Sequence, residues 1–477
     1  MAAFSGPLKP SAILRLDTTA ASKPSFLFSI TAILSGQLAC AIIAILTEIS
    51  YARFLGPYSR GLISLCLMSI AFATLLGGLG GEGTIVYWSS RARNAFTSWL
   101  PAVLCWGILG CTLACVSWVV FSRLHLPFLR GISPSLAWLV LLNIPPTILF
   151  AYVMALLSGA EEFRFRAVCA LSRQVIVIVS LLILLVCMGR RPEIALWANL
   201  AGLLVASLAA LLLLKHSIKG FWRIDAAYSN LKPTLYYGLR GQVGNLATFF
   251  TYRFDVFIVN CFLQPDQLGF YALGVVVSEA IWQVPQAVAS ALFPRTARTD
   301  LENATDFTCY VLRQLFFITS VCGAVVAITC PLVIPLVFGA SFRPSIAVIW
   351  WILPGTIALS LGKVACADLA GRGKNGYSSV FALVSFALTV GLDWLLIPRM
   401  GILGAAIASS IAYTANSTLI LVALRFELKV AWKTLLVPSL HEVKAYRQVW
   451  RNLTNALDYT ARNKNLSDSK LLSSEGE

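Results

Sequence analysis

The sequence predicts an all-α polytopic membrane protein, with about twelve transmembrane helices in two six-helix bundles around a central cleft. Three observations predict this fold. Of the 477 residues 58% are apolar and 12% are charged, about half the charge of a typical soluble protein. Apolar segments of roughly 20 residues, the length that crosses a bilayer, recur along the chain. Short motifs also repeat between its two halves. A large water-soluble enzyme is excluded by this composition.

Twelve apolar segments are long enough to cross a membrane, and only short charged turns divide some of them. The turn at 190–193, for example, separates the fifth segment from the sixth. The predicted spans are 26–49, 61–81, 99–121, 135–158, 168–188, 194–214, 238–262, 269–293, 312–338, 345–370, 378–397 and 401–424.

The basic residues predict the orientation of the spans, because loops rich in Lys and Arg stay on the cytoplasmic side. With the N-terminus inside, 27 of the 37 Lys and Arg residues lie in cytoplasmic segments and eight lie in outside loops. We therefore expect a multi-pass protein of the cytoplasmic (inner) membrane with both termini in the cytoplasm. The net charge of +16 follows from this topology, so no nucleic-acid partner is expected.

The chain outside the spans predicts three cytosolic segments. In the tail, Ser439 and Glu442 form a capping pattern, and apolar residues then recur at helical spacing among basic ones. This pattern fits a basic amphipathic helix on the inner leaflet and equally a solvated helix without a role. The predicted domains are an N-terminal arm (1–25), a six-helix bundle (26–214), a basic linker (215–237), a second six-helix bundle (238–424) and a basic tail (425–477) with the helix at 439–459.

Nothing in the sequence predicts catalysis, a metal site or an organic cofactor. The twelve Cys are scattered through apolar runs without a C-x-x-C pair, and the three His lie in loops or the tail without a plausible nucleophile beside them. No G-x-x-x-x-G-K-[ST] sequence is present, which argues against direct ATP hydrolysis. We therefore expect a protein that is not an enzyme.

The two halves share short motifs in the same order. The loop after span 1 reads FLGPYSRG (54–61), and the loop after span 7 reads FLQPDQLG (262–269), with four of eight positions identical. Gly36-Gln37 and Gly241-Gln242 lie in the spans that precede these loops. Six spans per repeat give both halves the same orientation, as in duplicated transporters. The repeat predicts a duplicated bundle with a cleft between the halves.

Several segments resemble the polysaccharide (O-antigen type) flippases of the multidrug/oligosaccharidyl-lipid/polysaccharide exporter superfamily. Residues 52–61 are similar to the segment aRxLGPxxyG after the first span of that family. Residues 253–272 resemble its RxDxxiig…lGxYxxa pattern, and 284–295 resemble its lP…alfPr pattern. Residues 401–408 are similar to the GixGAaiAt opening of its last span.

This resemblance implies a twelve-helix fold that works by alternating access. Its substrate would be a polyprenyl-pyrophosphate-linked oligosaccharide, moved to the outer leaflet for surface polysaccharide biosynthesis. The implied partners are that lipid-linked oligosaccharide, membrane lipids and polysaccharide polymerase or assembly proteins. A monomer is expected, because twelve spans can enclose a cleft unaided.

Span 7 carries a polar stripe. Gln242, Asn245, Thr248, Tyr252 and Asp255 are three or four residues apart, which keeps them on one helical face. We predict that this face lines the cleft. Span 8 carries Glu279, Gln283 and Gln286 on one face in the same way.

Four ionisable residues lie deep in the spans, namely Arg253, Asp255, Glu279 and Lys363. Such residues usually face a cavity or a partner because burying a charge in hydrocarbon is costly. We hypothesise that Lys363 holds a pyrophosphate near the cytoplasmic side and that Arg253 receives it nearer the outside. Two structural interpretations stay open: Arg253 forms a buried ion pair with Asp255, and Lys363 either snorkels toward the interface or pairs with Asp368.

Substrate-binding residues predicted from these patterns are Arg253, Lys363, Gln242, Asn245 and Tyr252. Asp255 and Glu279 are predicted coupling or ion-pair residues, and H⁺ or Na⁺ coupling at either stays open. The alternative function is a secondary exporter of amphipathic or cationic small molecules on the same fold. The cationic Lys363 and Arg253 favour an anionic cargo over that alternative.

Overall fold

The computed structural model describes residues 39–91, 96–124, 126–160, 162–217, 225–296, 301–374 and 376–436. Across these ranges the chain is helical and contains no strand, which confirms the all-α polytopic class. The predicted arm at 1–25 and the predicted tail helix at 439–459 lie outside the described residues. The predicted linker is described in part, and its residues from Asp225 onward are already helical.

The N-terminal half consists of α1 (39–50, continued by a π-helical turn at Tyr51–Leu55), α2 (Gly56–Gly78), α3 (Gly81–Arg91), α4 (Phe96–Arg123), α5 (Pro134–Gly159), α6 (Phe163–Met188) and α7 (Glu193–Ser217). The C-terminal half consists of α8 (Asp225–Arg253), α9 (Asp255–Phe262), α10 (Pro265–Glu279), α11 (Gln283–Thr296), α12 (Leu301–Val333), α13 (Pro344–Gly371), α14 (Gly376–Met400), α15 (Ile402–Leu428) and α16 (Trp432–Leu436). Short helical turns at Pro127–Leu129, Ala280–Trp282, Ile334–Phe338 and Ala340–Phe342 connect some of them.

Ten helical segments among the described residues are long and apolar enough to cross a membrane. One of them, Ala39–Gly78, is 40 residues long, about 60 Å of helix at 1.5 Å per residue and twice the hydrocarbon thickness. Gly56, with φ +78°, breaks this segment between the predicted spans 1 and 2. The predicted span 7 is not among the ten. The count of twelve therefore stays a prediction.

Each half has its own apolar core. In the N-terminal half α2, α4 and α5 pack together around Val140 and Ile144, both inaccessible to solvent. In the C-terminal half α13 packs against α15 and α10, around buried residues such as Tyr271 and Ile349. The second cluster also takes in Ala52 and Leu65 from the N-terminal half, so the two cores meet where α2 lies against α10.

The two copies of the repeated loop motif face each other at the N-terminal ends of α2 and α10. The basic residues predict that this end is the outer one, and we call it the outer end of the seam and the opposite one the inner end. A Cβ on Gly61 would collide with the carbonyl oxygen of Pro265, and a Cβ on Gly269 would collide with that of Pro57. The contact is reciprocal, because each glycine lies against the proline that opens the helix of the other half. Only the absence of a side chain at both positions lets the backbones approach this closely.

Hydrogen bonds between the halves surround this outer contact. Arg53 donates through Nε to the carbonyl of Val337 at 2.7 Å and through Nη2 to the carbonyl of Leu336. Asn260 donates through Nδ2 to the carbonyls of Phe128 and Arg130, at 3.1 Å and 3.0 Å. Side chains from both halves thus satisfy main-chain carbonyls across the outer seam.

A second close contact joins the halves at the opposite, inner end. A Cβ on Gly80 would collide with the backbone of Gly238, and a Cβ on Gly238 would lie 2.6 Å from the carbonyl oxygen of Leu79. Gln242 donates to the carbonyl of Leu75 one turn further along α8. The inner part of α8 is therefore attached to the N-terminal half through α2, α3 and α4.

A buried ion pair links α1 to α2. Arg60 Nη2 lies 2.7 Å from Glu48 Oε2, and the side chain of Arg60 is 4% exposed. Arg60 falls in the outside loop predicted after span 1, and Glu48 lies near the end of that predicted span. In the structure α2 begins at Gly56 and carries Arg60 into the protein. The pair neutralises two charges that would otherwise be buried alone.

Replacing Arg60 with Met should destabilise the protein by about 3–5 kcal/mol, because Glu48 would keep a buried and uncompensated charge. The double variant R60M/E48M should recover most of that loss, since it removes both charges together. Thermal unfolding of the purified protein measures both effects, with the exposed Arg190→Gln as control. Equal stability of the single variant and the wild type would contradict the pairing.

Candidate functional site

Span 7 is interrupted where its charged residues lie. Helix α8 ends at Arg253, Phe254 lies in a turn, and α9 begins at Asp255. Asp255 Oδ1 accepts a hydrogen bond from the backbone N–H of Val256 at 2.8 Å. A carboxylate at a helix N-terminus satisfies N–H groups that the break releases. Interrupted helices within a membrane are tolerated where they are buried in protein or line a cavity, and transporters form substrate sites there.

Arg253 pairs with Glu279 on the neighbouring α10. Its Nη1 lies 3.0 Å from Oε1 and its Nη2 lies 2.7 Å from Oε2, a bidentate arrangement that matches the two planar groups. The Arg253 side chain is 32% exposed, whereas that of Glu279 is 11% exposed. An ion pair between Arg253 and Asp255, the structural interpretation left open above, is therefore wrong.

Lys363 lies over an aromatic surface instead of beside a carboxylate. Its Nζ is 3.7 Å from the ring centroid of Trp282 and 5.9 Å from that of Tyr252, within the range of cation–π attraction. Asp368 instead binds Arg372 at 2.7 Å and accepts a hydrogen bond from Thr308 at 2.7 Å. The predicted Lys363–Asp368 pair is therefore wrong.

Three aromatic rings pack against one another beside the end of Lys363, which lies over two of them, Trp282 and Tyr252. The ring centroids of Tyr252, Trp282 and Tyr413 lie between 5.6 and 5.8 Å from one another. We call these three residues the aromatic box. Tyr413 is inaccessible to solvent and Trp282 is 7% exposed, while Lys363 and Tyr252 are partly exposed.

Arg253 and Lys363 adjoin the same aromatic box. Tyr252 directly precedes Arg253 in the chain, and Trp282 lies three residues beyond Glu279. The two positions hypothesised as inner and outer stops thus belong to one cluster. Of its three charges, Arg253 and Glu279 neutralise each other, which leaves one positive charge at Lys363.

The predicted polar stripe of span 7 does not form one continuous face. Asn245 and Thr248 are exposed, Gln242 and Asp255 are buried, and Tyr252 is partly buried. Gln242 is turned toward the N-terminal half by its bond to the carbonyl of Leu75. Asp255, at the other end of the stripe, is buried like Gln242 and does not belong to its exposed part.

Asp255 belongs to a separate buried network in the C-terminal half. It is 1% exposed and accepts a hydrogen bond from Tyr271 Oη, which also lies 3.1 Å from Ser409 Oγ. Asp393 of α14 is inaccessible to solvent, and neither of its carboxylate oxygens has a hydrogen-bond partner. It lies within electrostatic reach of Asp255. The protein thus buries two acidic groups with no basic side chain bonded to either.

The sequence did not reveal the aromatic box, and it did not show that Asp393 is fully buried. Asp393 lies near the end of the predicted span 378–397, a position that is typical of an interfacial residue. Trp282 follows Glu279 by three residues, a spacing that places both on one side of a helix and could have indicated their proximity. Tyr413 lies far away in sequence, on α15, and gives no such signal.

Comparison with known families identifies a match over residues 26–300 to the family described as polysaccharide biosynthesis protein. The chain is 23% identical over 393 residues to a protein of Shigella flexneri provisionally named an O-antigen transporter, covering 77% of this chain and 90% of that one. It is 24% identical over 242 residues to Agl15 of Haloferax volcanii, provisionally named a low-salt glycan biosynthesis flippase, over 50% of each chain.

Solved structures share the fold. The lipid II flippase MurJ in an inward closed conformation superposes with a TM-score of 0.67 at 16% identity, over 86% of this chain and 89% of MurJ. An inward-facing multidrug transporter of the MATE family superposes with a TM-score of 0.66 at 16% identity, over 82% and 94%. Together with the family match over more than half of its length, this fold shows that the chain belongs to the polysaccharide biosynthesis protein family of polytopic membrane proteins.

Proposed function

We propose that this protein flips a polyprenyl-pyrophosphate-linked oligosaccharide across the cytoplasmic membrane by alternating access, for surface polysaccharide biosynthesis. The observation that carries the proposal is the uncompensated positive charge of Lys363 at the break in span 7. A pyrophosphate is strongly anionic, and charge attraction is strong where water is scarce. The relatives named as an O-antigen transporter and a glycan flippase support the same class of cargo.

Arg253 can contribute to headgroup binding by exchanging partners. Its guanidinium is partly exposed and paired with Glu279, and phosphate oxygens offer the same bidentate geometry as a carboxylate. Lys363 would attract the headgroup, and the guanidinium of Arg253 would then be shared between the headgroup and Glu279. Asn245 is exposed on α8 and would bind polar groups of the sugar.

The two glycine contacts offer a physical basis for alternating access. Each contact closes one end of the seam between the halves, Gly61 with Gly269 at the outer end and Gly80 with Gly238 at the inner end. Breaking one contact while keeping the other would open the cleft to one side of the membrane. Small-residue contacts suit this role, because they depend on close packing and no strong bond has to break.

Coupling to a cation would use the buried acidic pair. A carboxylate without a hydrogen-bond partner in hydrocarbon is costly unless it binds a proton or a cation, and Asp393 is such a group. We infer that Asp255 and Asp393 together bind H⁺ or Na⁺. Glu279, the other coupling candidate, is already neutralised by Arg253. The expectations of a monomer, of polymerase or assembly partners, and of cytoplasmic termini stay predictions.

Deleting the gene tests the function in its host. The proposed function predicts loss of surface polymer together with accumulation of lipid-linked repeat units on the inner leaflet. An unchanged polymer together with heightened sensitivity to cationic drugs would favour the exporter alternative instead.

Replacing Lys363 with Gln should lower surface polymer at least about tenfold in the deletion host, because a charge-assisted bond is worth about 1.5–3 kcal/mol. Arg253→Gln should have a similar effect, but it also leaves Glu279 unpaired. The double variant R253Q/E279Q removes that complication and should restore stability without restoring polymer. Lys374→Gln, on an exposed lysine near the inner surface, is the matched control. Normal polymer with both Lys363→Gln and R253Q/E279Q would refute the assignment.

Replacing Gly61 with Val should separate the outer ends of α2 and α10, because the added side chain meets the backbone of Pro265. A cysteine introduced at Asn245 in a cysteine-free background should then react faster with an impermeant maleimide added outside. Gly391→Val is the control, since a Cβ there meets nothing within 4 Å. Unchanged labelling in a folded Gly61→Val protein would contradict the proposed outer gate.

Replacing Asp393 with Asn should abolish the dependence of transport on a pH or Na⁺ gradient while leaving the fold intact or more stable. The amide has the same shape and carries no charge that needs a counterion. Transport into vesicles under imposed gradients, together with the unfolding temperature, measures the two effects. A variant that keeps the wild-type gradient dependence would exclude Asp393 from coupling.

A further inference from the structure

The aromatic box has the composition of a receptor for organic cations. Sites that bind quaternary ammonium groups surround the charge with the faces of Trp and Tyr rings, and Trp282, Tyr252 and Tyr413 lie within 6 Å of one another. Glu279, close to Trp282 in the chain, adds a carboxylate at one side. Such a site, left empty, would attract amphipathic cations from the membrane.

In this protein the box is already filled by a cation of its own. The Lys363 Nζ lies 3.7 Å from the centre of the Trp282 ring, at the contact distance of an ammonium group on an aromatic face. Tyr252 is 5.9 Å from the same nitrogen. Nζ therefore occupies the position that the ammonium group of a ligand would take.

The charges around the box reinforce this exclusion. Arg253 occupies both carboxylate oxygens of Glu279, so that acid cannot serve an incoming cation. A second cation at Trp282 would also lie beside the positive charge of Lys363, which forms no ion pair of its own. Lys363 occupies the box and Arg253 neutralises Glu279, and both effects disfavour the binding of an external cation.

We propose that Lys363 is a tethered cation that occupies the aromatic box of Tyr252, Trp282 and Tyr413 and thereby excludes organic cations from the site. Residue 363 then determines the charge of the molecules that the site accepts. With lysine the site rejects cations and presents a positive charge to anions. Without lysine the ring face of Trp282, with Tyr252 beside it, is open to a quaternary ammonium group. This inference concerns binding and does not depend on which sugar the protein moves.

The test shortens the Lys363 side chain by mutation and then adds a small cation that resembles the part removed. Lys363→Ala removes a three-carbon chain that ends in a cation, and n-propyltrimethylammonium has the same chain length and charge. We expect the purified variant to bind this probe at least about tenfold more tightly than the wild type, from the strength of a desolvated cation–π contact. Saturation-transfer NMR and calorimetry with the full-length protein measure the affinity.

Three further variants identify the origin of any gain. Lys363→Arg keeps a cation over the box and should bind the probe as weakly as the wild type. K363A/W282L also removes the ring that lies closest to Nζ, and it should not show the increased affinity for the probe. K363A/R253M releases Glu279 from its partner and should bind more tightly than Lys363→Ala alone. Lys374→Ala is the matched lysine control at the inner end of the protein, where it pairs with Glu427.

Two results would overturn the proposal. One is equal affinity of the probe for the wild type and Lys363→Ala, with both proteins shown to be folded by their unfolding temperatures. The other is a gain that persists in K363A/W282L, which would place the probe elsewhere. Lys363→Ser provides a second variant for the same comparison if Lys363→Ala does not fold. A failed flipping assay would leave these binding results unaffected, so the two proposals fail independently.

Discussion

A charge buried in the hydrocarbon of a membrane is not hydrated, and the arrangement of the charged residues in this protein reflects that constraint. Arg60 pairs with Glu48, Asp368 pairs with Arg372, and Arg253 pairs with Glu279. Lys363 and Asp393 depart from this arrangement, and Asp255 and Arg173 form hydrogen bonds with neutral side chains instead. Lys363 lies on an aromatic face, and Asp393 has no hydrogen-bond partner. A charge that the fold leaves without a counterion is available to a ligand, and for that reason the proposed headgroup and cation sites lie at these two residues.

Both sites depend on the interruption of span 7. The break at Phe254 leaves Arg253 as the last residue of α8 and Asp255 as the first residue of α9. Arg253 then faces Glu279 and the aromatic box, while Asp255 turns to Tyr271 in the interior of the C-terminal half. Because α8 contacts α4 and α14, and α9 contacts α2 and α14, each helix touches both halves, and a movement between the halves would change both sites together. This geometry connects headgroup binding, cation binding and the two glycine contacts.

The sequence predicts the fold class well because length and hydropathy determine it. Gly61 and Gly269 were also recognisable, as matching ends of a repeated motif, although their direct contact was not. The site was predicted less well. Periodicity identified Arg253, Glu279 and Lys363 as charges deep in the spans, but it does not show which parts of a face neighbouring helices cover, and Gln242 and Asp255 are buried by such packing. Tyr413 and Asp393 are distant in sequence from span 7, and their positions are determined by helix packing that a single sequence does not specify.

The central claim is that an anionic headgroup binds at the cluster of Lys363 and Arg253. The most direct measurement is native mass spectrometry of the purified protein with farnesyl diphosphate and with farnesol, which share a lipid chain and differ in charge. The account predicts retention of the diphosphate by the wild type, at least about tenfold weaker retention by Lys363→Gln, and weak retention of farnesol by both. The account would be contradicted if the wild type retained the two lipids equally. It would also be contradicted if the wild type and Lys363→Gln retained the diphosphate equally.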